Sequence, residues 1–261
     1  KKALDMYLAV YGTEKPHPSV ATCCNNIGGV YYNLGKFPEA LSEYKKTLNM
    51  RLAVYGTEKP HPDVAMSYNN IGTVYESMEK YPEALSEYKK VLKIVLAMYG
   101  KEQPHPSMAT IYNNIGDLYN SIGKYPEALS EHKKALDMYL AVYGTEKPHP
   151  SVATCCNNIG GVYYNLGKFP EALSEYKKTL NMRLAVYGTE KPHPDVAMSY
   201  NNIGTVYESM EKYPEALSEY KKVLKIVLAM YGKEQPHPSM ATIYNNIGDL
   251  YNSIGKYPEA L

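Results

Sequence analysis

The tetrapeptide Asn-Asn-Ile-Gly begins at Asn25, Asn69, Asn113, Asn157, Asn201 and Asn245, each 44 residues after the last. A period of this length argues for a stack of small units, each too thin to bury its own apolar face and completed by its neighbours. Residues 133–261 are identical to residues 1–129, so the larger repeating unit is 132 residues long and holds three variants of the shorter one. Division at His-Pro gives repeats 17–60, 61–104, 105–148, 149–192 and 193–236, with partial repeats at 1–16 and 237–261. The spacing predicts one continuous array over residues 1–261.

Within a repeat, Val20, Cys24, Ile27, Gly28, Tyr31 and Leu34 recur at intervals of three and four, the signature of one face of an α-helix. Pro18 suits the first turn, where a missing N–H costs nothing. Gly35 and Lys36 interrupt the pattern. Pro38 then opens a second helix whose stripe is Leu41, Tyr44, Leu48, Leu52 and Tyr55, closed by Gly56. The stretch from Thr57 to His61 contains Lys59-Pro60 and is not helical throughout. Each repeat is therefore a helical hairpin. Hairpins in series predict an all-α fold, an α-solenoid with no strand.

These residues resemble the tetratricopeptide repeat. Its first helix carries a small or aromatic residue, Leu-Gly and Tyr, and its second carries Ala, an aromatic and Ala. Cys24, Ile27-Gly28, Tyr31, Ala40, Tyr44 and Thr47 fill those places. Tyr68, Ile71-Gly72, Tyr75, Ala84, Tyr88 and Val91 do so in the next repeat, and Tyr112, Ile115-Gly116, Tyr119, Ala128, His132 and Ala135 in the third. The usual period is about 34 residues. The longer second helix and its Gly-x-x-x-x-His-Pro loop look like the repeats of kinesin light chains. The resemblance implies a right-handed superhelix whose first helices line a concave groove.

At about 100° per residue, Thr22, Asn26, Gly29 and Asn33 lie opposite the core stripe of the first helix, with Asn25 and Tyr32 on one flank. The corresponding centres are Met66, Asn70, Thr73 and Ser77, then Thr110, Asn114, Asp117 and Ser121. Asn26, Asn70, Asn114, Asn158, Asn202 and Asn246 are thus expected to form a ladder along the groove, flanked by Asn25, Asn69 and Asn113. A primary amide donates twice and accepts, so it suits the N–H and C=O of an extended peptide. It equally suits bonding between neighbouring helices. Lys and Arg are absent from these positions, whereas arrays that clamp a chaperone's C-terminal carboxylate place them there. Asp117, Glu76 and Asp249 make the groove mildly acidic, so a neutral or basic protein or peptide ligand is expected.

Lys plus Arg total 28 against 27 Asp plus Glu, a net charge of +1, which disfavours nucleic acid or an anionic membrane as partner. No apolar run approaches the ~18 residues of a membrane span. The adjacent pairs Cys23-Cys24 and Cys155-Cys156 point about 100° apart on a helix and suit packing better than a disulfide or a metal. With neither a signal peptide nor a glycosylation sequon, an intracellular, cytoplasmic setting is expected. Six of the seven histidines fall one per loop without companions at ligand spacing. No phosphate loop, nucleophile elbow or HExxH motif occurs. The chain is expected to need no cofactor and to be no enzyme.

A second expectation is structural self-association. The 261 residues fall three short of six periods of 44, and Lys1 lies in the middle of the same helix type that Leu261 begins. Head-to-tail stacking in register continues the array, with stripe residues such as Leu8 and Tyr251 short of a partner.

Overall fold

The computed structural model describes residues 2–12, 16–100, 103–145, 147–189, 191–232 and 238–255, without the side chains of Leu8 and Ser239. Lys1, His237 and Leu261 lie outside the described residues. The described residues form twelve α-helices and no strand. They are α1 (Lys2–Tyr11), α2 (Pro18–Asn33), α3 (Phe37–Tyr55), α4 (Pro62–Ser77), α5 (Tyr81–Tyr99), α6 (Pro106–Ser121), α7 (Tyr125–Tyr143), α8 (Pro150–Asn165), α9 (Phe169–Tyr187), α10 (Pro194–Ser209), α11 (Tyr213–Tyr231) and α12 (Pro238–Ser253). The chain divides into two compact units, residues 1–138 and 139–261.

In the first unit α2 packs on α3 and α4 on α5, while α3 meets α4 and α5 meets α6. In the second unit α8 packs on α9 and α10 on α11, with α9 against α10 and α11 against α12. Within each unit these helices meet their chain neighbours, which is the solenoid arrangement the period predicts.

Among the described residues, the histidine of His-Pro starts the first helix of five repeats. In the first unit, Nδ1 of His17, His61 and His105 accepts from the N–H of Ser19, Asp63 and Ser107 at 3.1–3.2 Å. The rings also stack on Tyr11, Tyr55 and Tyr99 of the preceding helix, with centroids 3.5–3.6 Å apart. One side chain thus caps a helix and ties it to the previous one. His149 and His193 do the same in the second unit, on Tyr143 and Tyr187. The first helix ends at a left-handed residue, Gly35 at φ +70°. Its equivalents Glu79 and Glu211 take φ +57° and +58° without glycine's freedom.

The two helices of a hairpin meet closely because a glycine faces an aromatic ring. A Cβ on Gly28 would lie 2.8 Å from the Tyr44 ring, and one on Gly72 2.7 Å from Tyr88. Ala40 and Ala84 are fully buried beside these contacts. Between repeats, Val64, Ile71 and Val74 pack on Tyr44 and Leu48. Arg51, only 5% exposed, reaches across to donate to the Asp63 carbonyl at 2.8 Å and to Ser67 Oγ at 2.9 Å. Leu34 departs from its expected place in the core. It is the C-cap of α2, beyond the last helical turn, and is 64% exposed.

Gly72→Ala should destabilise the chain by about 1–3 kcal/mol in urea unfolding, since the ring of Tyr88 cannot give way. Gly29→Ala meets only the Tyr44 hydroxyl at 3.6 Å and should stabilise by about 0.5–1 kcal/mol through helix propensity. Equal effects of the two changes would contradict the contact.

Candidate functional site

The paired asparagines link successive first helices. In the first unit Asn70 Nδ2 donates to Asn25 Oδ1 at 2.9 Å, and Asn114 Nδ2 donates to Asn69 Oδ1 at 3.2 Å. In the second unit Asn202 donates to Asn157 at 3.0 Å and Asn246 to Asn201 at 3.5 Å. In these four bonds the first Asn of the earlier pair reaches forward and the second Asn of the later pair reaches back. Of the two roles open to the amides, bonding between neighbouring helices is therefore realised at these four positions. Each bond uses one of two Nδ2 hydrogens of the donor, and the donor amides are half-buried.

The other candidate residues differ in access. Asn26 and Asn33 are exposed on α2, and Asn158 is half-buried on α8. Tyr32 is half-buried, with its hydroxyl 2.9 Å from Ser77 Oγ on α4, so it too spans two repeats. Asn113 is only 9% exposed, and its Oδ1 lies 2.7 Å from His132 Nδ1. It is turned inward because a histidine stands where the other repeats hold tyrosine.

Beside the ladder lies an apolar cleft of about 370 Å³ between α4, α5 and α6, lined by Pro62, Met66, Asn69, Val95, Met98 and Ile111. Met66 is 49% exposed, and Asn69 edges both cleft and ladder. The second unit repeats the cleft at about 270 Å³ around Pro194, Met198, Asn201, Val227, Met230 and Ile243. Flexible methionines suit a cleft that adapts to varied side chains.

A third feature belongs to the first unit. His132 is fully buried on Gly116, where a Cβ would lie 2.7 Å from the ring. Asn113 Oδ1 accepts from Nδ1, so Nε2 is left as a bare acceptor with no hydrogen-bond partner. Asp117 Oδ1 stands 3.5 Å from it, too far for a hydrogen bond. Burial holds the His132 pKa down to about 4. Burial, and then the charge of Glu76, push the Asp117 carboxyl up to about 7, although 47% of its side chain is exposed. Glu76 itself accepts from the Tyr88 hydroxyl at 2.8 Å. Sequence reasoning placed Asp117 in the groove but not the ring beneath it. The departure from tyrosine at residue 132 was the available signal.

Among the described residues no group of three or more His, Cys, Asp or Glu is placed to hold a metal, and no helix is long and apolar enough to cross a membrane. Cys24, Cys155 and Cys156 are buried, and burial pushes the Cys156 thiol up to about 11. Lys46 pairs with Glu43 at 2.6 Å on an outer face.

Helical hairpins in series, with an amide-lined face on their first helices, define an α-solenoid repeat protein. The tetratricopeptide-repeat family profile matches residues 19–97, 107–185, 151–229 and 195–261, and the chain belongs to that family. No curated protein matches it in sequence. BtubC (BKLC) from P. vanneervenii is similar in structure, with a TM-score of 0.71 at 22% identity over 91% of each chain. A putative kinesin light chain from Podosopora anserina with nearly identical TPR-like repeats gives 0.67 at 18% identity, over 83% of this chain and 99% of that one. The tetratricopeptide sensor protein PH0952 from Pyrococcus horikoshii gives 0.71 at 16% identity, over 98% of this chain and 37% of that one. At these identities the likeness is one of fold.

Opposed titrations at Asp117 and His132 give a measurable consequence. His132 favours the folded state fully above its ordinary value of 6.5, and this contribution is lost as pH falls to about 4. Asp117 does the reverse: its contribution is full below 3.8 and is lost as pH rises to about 7. The two slopes oppose between pH 4 and 6.5. Asp117→Asn removes the second, so urea unfolding of the variant should show stability falling on acidification more steeply than in the parent chain. An unchanged slope would refute the raised proton affinity of Asp117.

Proposed function

We propose that this protein is a non-enzymatic interaction scaffold that holds an extended peptide, neutral or basic, along the groove face of its first helices. The observation that carries this reading is a recurring adjacency, an amide ladder beside a Met-lined cleft, in both units. The amides suit a peptide backbone of any sequence, each bond contributing about 0.5–1.5 kcal/mol net. The cleft suits a large apolar side chain. Carboxylates at Glu76 and Asp117 favour a basic partner over the carboxylate tail of a chaperone. Cys24, Cys155 and Cys156 are thiols and not disulfides, which suits a reducing, intracellular compartment.

The test is the double variant Asn70→Ala with Asn114→Ala, assayed with peptides selected on the intact chain. Two or more lost bonds should weaken capture by ~30-fold or more, with helical content retained below the melting transition. If the melting temperature falls but affinity does not change, the amides serve the stack alone.

A second reading, end-to-end self-association, has its own support. Val30 on α2 is 59% exposed, whereas its counterparts Val74 and Leu118 are fully buried by the preceding repeat. This α2 face suits another repeat. Sedimentation over a wide concentration range should reveal chain association, and Val30→Glu should abolish it. A monomer at all concentrations counts against this reading.

A further inference from the structure

The bare nitrogen of His132 lies under the groove, and its position is not explained by packing. The other complete repeats of the first unit seat Tyr44 and Tyr88 in the equivalent place, and Tyr88 directs its hydroxyl to a carboxylate. A fully buried ring with an unsatisfied acceptor leaves a desolvated lone pair that a ligand donor would relieve. The register of the amide ladder shows what else converges there. Asn114 pairs with Asn69, a separation of 45 residues. At the same offset Asp117 stands opposite Gly72, with Glu76 one helical turn further on. Glu76's charge accordingly acts on Asp117. Two carboxylates on adjacent first helices, α4 and α6, therefore flank a buried acceptor on α7. All three favour a donor carrying positive charge.

We infer that this place in the groove binds the basic side chain of a bound peptide, an arginine or lysine whose N–H groups pair with Asp117 and Glu76 and, as the half-exposed Asp117 side chain swings off the ring, reach Nε2 of His132. The inference rests on the peptide-groove reading and names the chemistry of one anchor. The guanidinium of arginine has five donors in a planar fork, enough to serve acceptors on three helices. The titratable groups around Asp117 are Glu76 on α4, the Tyr88 phenol bonded to Glu76 from α5, and His132 on α7. A bound cation lowers the proton affinity of Asp117, so binding of the basic side chain weakens as pH falls below about 7.

The experiment uses the full chain and three labelled Ser/Leu-rich peptides that differ only in a central Arg, Lys or norleucine, measured by fluorescence anisotropy at pH 8 and pH 6. The Arg and Lys peptides should bind ~10-fold or more tighter than the norleucine peptide at pH 8, and this advantage should shrink at pH 6. Asp117→Asn should remove the advantage at both pH values. His132→Tyr restores the residue found at 44 and 88, keeps the hairpin packed, and should reduce the preference. In the parent chain the Nε2 nitrogen resonance of His132 should shift with the Arg peptide and not with the norleucine one. Equal binding of all three peptides, or an undiminished preference in Asp117→Asn, overturns this inference alone. Absence of binding by every peptide overturns the groove reading with it.

Discussion

The contact on which the rest depends is that of an aromatic ring against a glycine inside each hairpin. With Tyr44 seated on Gly28 and Tyr88 on Gly72, at distances that leave no room for a Cβ, the two helices approach closely along one stripe. That approach commits the Ile27 and Ile71 side of the first helix to the interior, and the opposite side is left for Asn26 and Asn70. The Asn-Asn-Ile-Gly tetrapeptide therefore joins two roles within one helical turn. Its glycine and isoleucine close the hairpin. Its two asparagines join that hairpin to its neighbours, as Asn69 does to Asn114 and Asn70 to Asn25.

The third repeat shows how little is needed to give such a scaffold a distinctive chemical feature. The seat on Gly116 is kept, but the ring is His132. A phenol can turn its hydroxyl to the edge of the core, as Tyr88 does toward Glu76. An imidazole carries its second nitrogen on the ring itself, so Nε2 stays buried. Asn113 is drawn inward to satisfy Nδ1, and the exposed end of the arrangement is a carboxylate, Asp117. Chemical individuality among these repeats thus arises from two substitutions, His132 for tyrosine and Asp117 for the residue that is Gly29 or Thr73 in the two preceding repeats.

Much of this was legible in the sequence. The 44-residue period, the two apolar stripes and the punctuation at Pro and Gly locate α2 to α6 to within a residue or two. They also place Asn70 and Asn114 opposite the core. What was not legible depends on distances between helices. An angular projection gives the direction of Asn69 and Asn70 from their own axis, but not that Asn69 reaches forward to Asn114 and Asn70 back to Asn25 across a 45-residue offset. The loop histidines were separated from metal chemistry by their isolation, yet their stacking on Tyr55 and Tyr99 joins residues six apart across a turn that periodicity does not describe. Nothing in the periodicity marks Arg51 as buried. Its burial follows from the carbonyl of Asp63 and the hydroxyl of Ser67 offered by the next helix.

The central claim is that the first-helix face receives a peptide. It is tested most directly by placing a photo-reactive side chain at Met66, on the groove cleft, and separately at Lys89, exposed on α5. Peptides selected on the intact chain should crosslink through position 66 and not through position 89. Crosslinking through position 89 with none through position 66 would contradict the account.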